Sequence, residues 1–125
     1  MTSIEVVKEG NKEYEIYRNE INNKPIKHGY YKEYYSDKSY KVVGNYKNGI
    51  LDGKYLWFYE NGQIQIEGKY KDGKEDGKWV SYYESGKVRR EGNYKDGVKN
   101  GKWGVYHESG KVGSEVYYED GKEID

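Results

Sequence analysis

The sequence predicts an all-β protein, an elongated antiparallel meander of tandem 24-residue β-hairpin repeats with about ten strands and essentially no helix. First, one pattern recurs without insertions at residues 28–51, 52–75, 76–99 and 100–123, which we call units 1 to 4. Second, each unit contains two strand-like stretches separated by a turn sequence. Third, no segment has the 3.6-residue apolar period of a helix. Such a fixed period is typical of arrays whose units cannot bury an apolar face alone.

Unit 3 is the clearest copy, with the sequence DGKWVSYYESGKVRREGNYKDGVK. Units 2 and 4 repeat it closely, and unit 1 is the most divergent. The 24-residue register is kept without slippage by one glycine and one tyrosine position in particular, namely Gly29, Gly53, Gly77 and Gly101, and Tyr46, Tyr70, Tyr94 and Tyr118.

Residues 1–27 precede the array and are predicted to form an irregular N-terminal β cap and loop. Two short strands, Ile4–Lys8 and Glu13–Arg18, are expected around a Gly10-Asn11 turn. The following segment contains the only proline of the chain, Pro25, and is predicted to be a loop. Residues 28–125 then comprise the four units and a short C-terminal tail.

Each unit is predicted to be one hairpin. The strands are joined by x-Gly turns at Gly62, Gly86 and Gly110, where glycine can adopt a positive φ angle. Unit 1 has Lys38 at this position, and its turn is therefore expected to be less regular. Connections this short can only join antiparallel strands.

Alternation along the strands predicts which side chains share a face of the sheet. The second strand of unit 2 is expected to point four residues one way: Ile64, Ile66, Gly68 and Tyr70. In the first strand, Tyr55, Trp57 and Tyr59 share one face.

Glycine also recurs in the middle of the second strands, at Gly44, Gly68 and Gly92. This pattern indicates that a ring from the next strand lies over bare backbone. In unit 4 the same position is Val116, which departs from the pattern.

Composition limits the classes of function. Hydrophobic residues make up 34% and charged residues 35% of the chain, but 17% is aromatic, so rings must supply much of the buried area. The 22 basic and 22 acidic residues balance and are mixed, which leaves no basic patch for nucleic acid or an anionic membrane. The absence of cysteine excludes disulfides and thiolate sites.

The N-terminal residues lack the basic start and apolar core of a signal peptide, and no apolar run reaches 18 residues. We therefore expect a cytoplasmic protein.

Nothing in the sequence predicts an enzyme, a cofactor or a metal site. His107 takes the place of Tyr35, Tyr59 and Tyr83, so it is interpreted as a substituted ring. No phosphate-binding glycine motif is present. Glutamates at 67, 91 and 115 are expected to form a solvated charge ladder facing Lys and Arg across the strands.

The recurring pattern G-K-W-x-x-Y-Y-x-x-G-K-x-x-x-E-G-x-Y-x-x-G resembles the MORN-repeat-variant family, which includes the YwqK-type antitoxins. The resemblance covers residues 28–123 and is strongest over units 2 to 4. It implies a β-hairpin array that binds other molecules without catalysis. The function it predicts is a protein-binding repeat domain, an antitoxin or immunity protein that masks a partner toxin.

Two other functions stay open: a membrane- or envelope-associated MORN scaffold, and an aromatic-cage array of the choline-binding type. For protein binding, the predicted contact residues lie on one face of three successive first strands: Trp57, Tyr59, Trp79, Tyr83, Trp103 and His107. The opposite face, around Phe58, Tyr82 and Tyr106, is the alternative. A monomer or a weak edge-to-edge dimer is expected, because an open sheet leaves two unpaired edges.

Overall fold

The computed structural model describes residues 3–124, so the first two residues of the predicted cap and the last residue of the predicted tail lie outside it. Within this range the chain forms one sheet of thirteen antiparallel strands. In chain order they are β1 (Glu5–Glu9), β2 (Lys12–Arg18), β3 (Pro25–Tyr34), β4 (Tyr40–Lys47), β5 (Ile50–Leu51), β6 (Gly53–Phe58), β7 (Ile64–Lys71), β8 (Lys74–Glu75), β9 (Gly77–Tyr82), β10 (Val88–Lys95), β11 (Val98–Tyr106), β12 (Val112–Glu119) and β13 (Lys122–Ile124).

The strands follow one another across the sheet in the order β1-β2-β3-β4-β6-β7-β9-β10-β11-β12-β13, with β5 paired to β4 and β8 to β7. The end strands β1 and β13 each have one neighbour, so the sheet is open. No residue between 3 and 124 is helical, and hence no helix there could cross a membrane. The predicted all-β meander is confirmed.

The strand count exceeds the expected ten because three strands are very short. β5 and β8 have two residues each and β13 has three. After β5 and β8 the chain leaves the ladder at Asp52 and Asp76, and the main first strands then begin at Gly53 and Gly77. In unit 4 the corresponding stretch continues without a break as β11.

Successive units are joined by aromatic rings that lie on glycine backbone. A Cβ atom added to Gly68 would overlap the indole of Trp79, and one added to Gly92 would overlap the indole of Trp103. Gly44 stands in the same relation to the ring of Tyr55. In each case the ring belongs to the unit that follows the glycine. The prediction drawn from the mid-strand glycines is therefore confirmed.

The two indoles are also hydrogen bonded to the unit before them. Trp79 Nε1 donates to the carbonyl oxygen of Lys69 at 3.2 Å, and Trp103 Nε1 donates to that of Asn93 at 3.0 Å. Each indole thus buries its ring and satisfies its N–H within one contact. The buried apolar side chains of the sheet are Ile16, Tyr31, Val42, Tyr55, Trp79, Val80 and Trp103.

Val116 occupies the glycine position of unit 4 because no further unit follows it. It pairs directly with Trp103 on β11, as Gly92 pairs with Trp79. On its other side lies only the short β13, which supplies no ring. The last unit therefore has room for a side chain there.

Every hairpin contains a bulge at the same place. In unit 2, Trp57 pairs with Ile66 but Phe58 pairs with Ile64, so that Gln65 is the extra residue. Paired residues share a face, so Ile64 lies with Phe58, and the prediction that it points with Ile66 is wrong. The corresponding extra residues in the other units are Lys41, Arg89 and Gly113. Strict alternation could not show this, because a bulge shifts the period by one residue.

The turn of unit 1 is as regular as the others. Lys38 adopts a φ of 72° where Gly62 has 89°, and the same backbone hydrogen bonds close both turns. The Asp37 carboxylate accepts bonds from the Ser39 amide at 2.9 Å and the Ser39 hydroxyl at 2.6 Å, which hold the turn without glycine. The expectation of a less regular turn is wrong.

Replacing Gly68 with alanine should lower the free energy of unfolding by about 1–3 kcal/mol, because the new methyl group displaces the Trp79 ring. Chemical denaturation followed by tryptophan fluorescence measures this. Val116→Ala, at the equivalent position without an overlying ring from a further unit, is the matched control and should cost about 1 kcal/mol or less. Equal losses in both variants would contradict a joining role for the ring–glycine contact.

Replacing Lys38 with glycine should raise the free energy of unfolding by about 1 kcal/mol, since a left-handed conformation strains a residue with a Cβ atom. The reciprocal change, Gly62→Lys, should lower it by a similar amount. Thermal unfolding of both variants is the measurement, and a destabilised Lys38→Gly protein would count against this explanation.

Candidate functional site

The two faces of the sheet differ in character. We call the face that carries Tyr55, Trp57, Trp79 and Trp103 the ring face, and the face that carries Phe58 and its equivalents the opposite face. Along the ring face, neighbouring rings meet edge to face: Tyr70 and Trp79 at 5.2 Å between centroids, and Tyr94 and Trp103 at 5.0 Å. This geometry is favourable for aromatic pairs.

A cleft of about 390 Å³ opens on the ring face across units 2 to 4. Four of the six predicted contact residues line it: Trp57, Tyr59, Trp79 and Trp103. The other two, Tyr83 and His107, are not among its lining residues. The structure therefore brings most of the predicted set together in one concave site.

The cleft exists because one large side chain is missing from a regular row. Cross-strand pairing places Trp57, Ile66, Ser81 and Arg90 in one line across β6, β7, β9 and β10. Ser81 lies 24 residues after Trp57, so a hydroxymethyl group takes the place of an indole. The space between Ile66 and Arg90 is therefore left open.

The tryptophans of the cleft have different roles. Trp79 and Trp103 are only 8% and 5% exposed, which makes them part of the core. Trp57 is partly exposed, and its ring lies 6.3 Å from that of Trp79. A bound molecule would therefore contact Trp57 and Tyr59 more fully than the two buried indoles.

Tyr59 and Tyr83 have a structural role that the sequence analysis missed. The hydroxyl of Tyr59 donates to the backbone oxygen of Tyr82 at 2.7 Å, and that of Tyr83 donates to the oxygen of Tyr106 at 2.6 Å. Tyr35 makes the equivalent bond to Phe58 at 2.5 Å. Each bond joins one unit to the next. The replacement of this tyrosine by His107 in the last unit was the available signal.

Two arginines at the cleft were also missed as candidates. Arg89 and Arg90 both line it. The guanidinium of Arg90 lies 5.1 Å from the centroid of Trp103, and that of Arg89 lies 5.9 Å from Tyr83. Across residues 3–124, neither has a carboxylate within ion-pair distance. Their adjacency in the sequence was the signal that could have identified them.

The opposite face is held by the protein's own polar contacts. The hydroxyl of Tyr82 donates to Glu67, and the hydroxyl of Tyr106 donates to Glu91 at 2.9 Å. Burial and the bond to Glu67 raise the pKa of Tyr82 to about 12. Where the tyrosine is replaced by Phe58, the position equivalent to the glutamate is Val43.

The glutamates of the predicted charge ladder also make ion pairs on this face. Glu91 pairs with Lys78 at 3.7 Å, and Glu115 pairs with Lys102 at 3.0 Å. These glutamates thus have partners within the sheet.

The fold and the cleft define an open array of β-hairpin repeats with an aromatic binding face. The family model described as MORN repeat variant matches residues 51–72 and 75–96, an interval of 24 residues. The chain therefore contains repeats of the MORN-variant family, as the sequence resemblance indicated. MORN repeats are non-catalytic motifs that generally bind proteins or membranes. No curated protein matches the chain.

Raising the pH above 10 should destabilise the fold. The pKa of Tyr82 is raised to about 12, and so is that of Tyr30, whose hydroxyl donates to Glu13 at 2.9 Å. The unfolded chain loses these protons near pH 10 and the folded chain does not. The stabilisation is therefore complete below pH 10 and is lost as the pH rises to about 12.

Thermal unfolding between pH 7 and 12 tests this prediction. The double variant Glu67→Val with Tyr82→Phe recreates the pair already present at Val43 and Phe58. It should show a shallower decline above pH 10, because one titrating group with a raised pKa is removed. An unchanged slope would contradict the assigned role of Tyr82.

Proposed function

We propose that this protein is a non-catalytic, protein-binding repeat domain that acts in the cytoplasm as an antitoxin or immunity protein masking a partner. The observation that carries the proposal is the cleft on the ring face, where Trp57 and Tyr59 stand beside a floor of buried indoles. Partly exposed aromatic residues over a rigid floor are the usual anchors of protein interfaces.

The rigidity of the site supports binding. Trp57 is packed against Tyr55 at 4.6 Å and Trp79 at 6.3 Å between centroids, and the hydroxyl of Tyr59 is fixed by its bond to unit 3. Anchors that are already ordered lose little conformational entropy on binding. A repeat sheet therefore supplies a pre-formed contact surface.

Choline-type binding is disfavoured by the cations that the protein already places on its rings. Lys27 lies within 5.5 Å of the centroids of Tyr14, Tyr31 and Tyr46. At the other end, Lys99 lies 5.2 Å from Trp103 and 5.0 Å from Tyr118. A quaternary ammonium ligand would have to displace these side chains.

Membrane association is the second property that MORN repeats generally show. The balance of 22 basic and 22 acidic residues gives little attraction to anionic lipid, since this attraction grows with each unpaired cation. Flotation with vesicles of phosphatidylcholine and phosphatidylserine separates the two functions. Flotation of the protein without binding to any protein partner would overturn the proposal.

The antitoxin role is tested by co-expression with the product of the gene adjacent to its own. We expect growth arrest by that product to be relieved by this protein, and a stable complex to form between the two. Failure to relieve arrest, together with the absence of a complex, would overturn the masking role for that partner.

In such a complex, Tyr59→Ala should weaken binding by about 2 kcal/mol, whereas Tyr59→Phe should leave affinity nearly unchanged because it keeps the ring. Calorimetry measures both affinities. Tyr35→Ala is the matched control, since Tyr35 makes the same inter-unit bond outside the cleft. It should lower stability without lowering affinity. Equal losses of affinity for Tyr35→Ala and Tyr59→Ala would place the contact elsewhere.

A further inference from the structure

We propose that the cleft selects an extended segment of the partner protein in which an acidic residue, an apolar residue and a basic residue follow one another. The acidic side chain pairs with Arg89 and Arg90, and the basic one with Glu75. This inference rests on the proposed function and adds the chemistry of the partner. Its steps concern the two arginines, the shape of the cleft, and the position of Glu75.

The two arginines have donor groups without acceptors. A guanidinium offers five N–H donors in a planar fork that fits a carboxylate. Contact with the faces of Trp103 and Tyr83 uses the positive charge but satisfies none of these donors. Within residues 3–124, no hydrogen-bond acceptor or carboxylate partner is assigned to either side chain. A carboxylate from outside is the acceptor that fits them best.

The bulge of unit 3 places both arginines at the cleft. Adjacent residues of a regular strand point to opposite faces, but Arg89 is the extra residue between the pairs of Val88 and Arg90. No other unit has two cations at these positions, which are Lys41-Val42, Gln65-Ile66 and Gly113-Ser114. The pair is thus specific to the unit that also carries Ser81.

Placing Arg90 in this row has no evident packing reason. The equivalent residue of unit 1, Val42, is only 4% exposed and belongs to the core. In unit 2 the position is Ile66, which is also apolar. Unit 3 therefore gives up an apolar contact for a cation, and Ser81 beside it gives up an indole. Both changes open and charge the same cleft.

The cleft has an acidic end as well. Glu75 lines it and pairs across the sheet with Tyr70, in the same row of residues as Tyr94. Tyr94 lies four residues beyond Arg90 on β10, which corresponds to about 13 Å of strand. The apolar floor of Trp79 and Trp103 lies between the two charged ends. An extended segment with opposite charges four residues apart matches this pattern.

The charge pattern favours a peptide over a lipid or nucleic acid surface. Two cations and one anion within a cleft do not form the continuous basic patch that a membrane or a phosphate backbone requires. The chain as a whole has no net charge. Selection between binding partners is then a matter of local charge complementarity.

The test uses a defined probe, an acetylated and amidated eight-residue peptide with Glu and Lys four positions apart around a central Leu. A matched peptide has Gln in place of Glu. The indole N–H resonances of Trp57, Trp79 and Trp103 report binding, since the three tryptophans of the chain all line the cleft. We expect the Glu peptide to shift them and to bind about tenfold more tightly than the Gln peptide.

The double variant Arg89→Gln with Arg90→Gln should lose this preference while its circular dichroism stays that of the wild type. Arg89→Glu with Arg90→Glu should instead prefer a peptide with Lys in place of Glu. Lys41→Gln is the matched control, because Lys41 takes the bulge position of unit 1 and lies over Tyr35 as Arg89 lies over Tyr83. It should keep the wild-type preference.

Equal affinity of the wild type for the Glu and Gln peptides would overturn the inference, and so would an unchanged preference in the Arg89→Gln, Arg90→Gln protein. Binding to phosphatidylserine vesicles that is lost in this variant would assign the arginines to lipid instead. A partner complex that is weakened by Tyr59→Ala but unaffected by the arginine changes would overturn this inference and leave the proposed function standing.

Discussion

The contact between a ring and a bare glycine backbone is the interaction on which this structure depends. A single sheet has little interior, so apolar area must be buried against the sheet itself. The indole of Trp79 achieves this by lying on Gly68 and donating its N–H to the preceding unit. Because ring and glycine belong to different units, the contact that forms the core also joins the array. Units of this kind are stabilised by their nearest neighbours.

The end of the array shows the same principle from the other side. Val116 can replace glycine because no further unit brings a ring to it, and His107 can replace tyrosine because no further backbone oxygen is there to accept its bond. Phe58 and Val43 likewise replace a tyrosine and a glutamate together, so that neither polar group is left without a partner. Departures from the repeat therefore occur where the corresponding contact is absent.

The candidate site arises from a different kind of departure. Ser81 and Arg90 replace residues that are large or apolar in unit 2, although neighbouring units continue on both sides. The loss of packing opens a cleft in an otherwise closed row of side chains. A repeat supplies a rigid frame, and individual substitutions within it supply specificity. This division explains why a family model recognises the frame and does not identify a partner.

The sequence by itself determined the strand order, the antiparallel pairing and the ring-on-glycine contacts, because period, turn length and side-chain volume are local properties of a repeat. It also indicated four of the residues that line the cleft. Only the tertiary structure decided the bulges, and with them the face on which Ile64, Arg89 and Arg90 lie. A bulge is set by pairing between strands, so one strand's alternation cannot reveal it. The inter-unit bonds of Tyr59 and Tyr83 depend on the same three-dimensional placement.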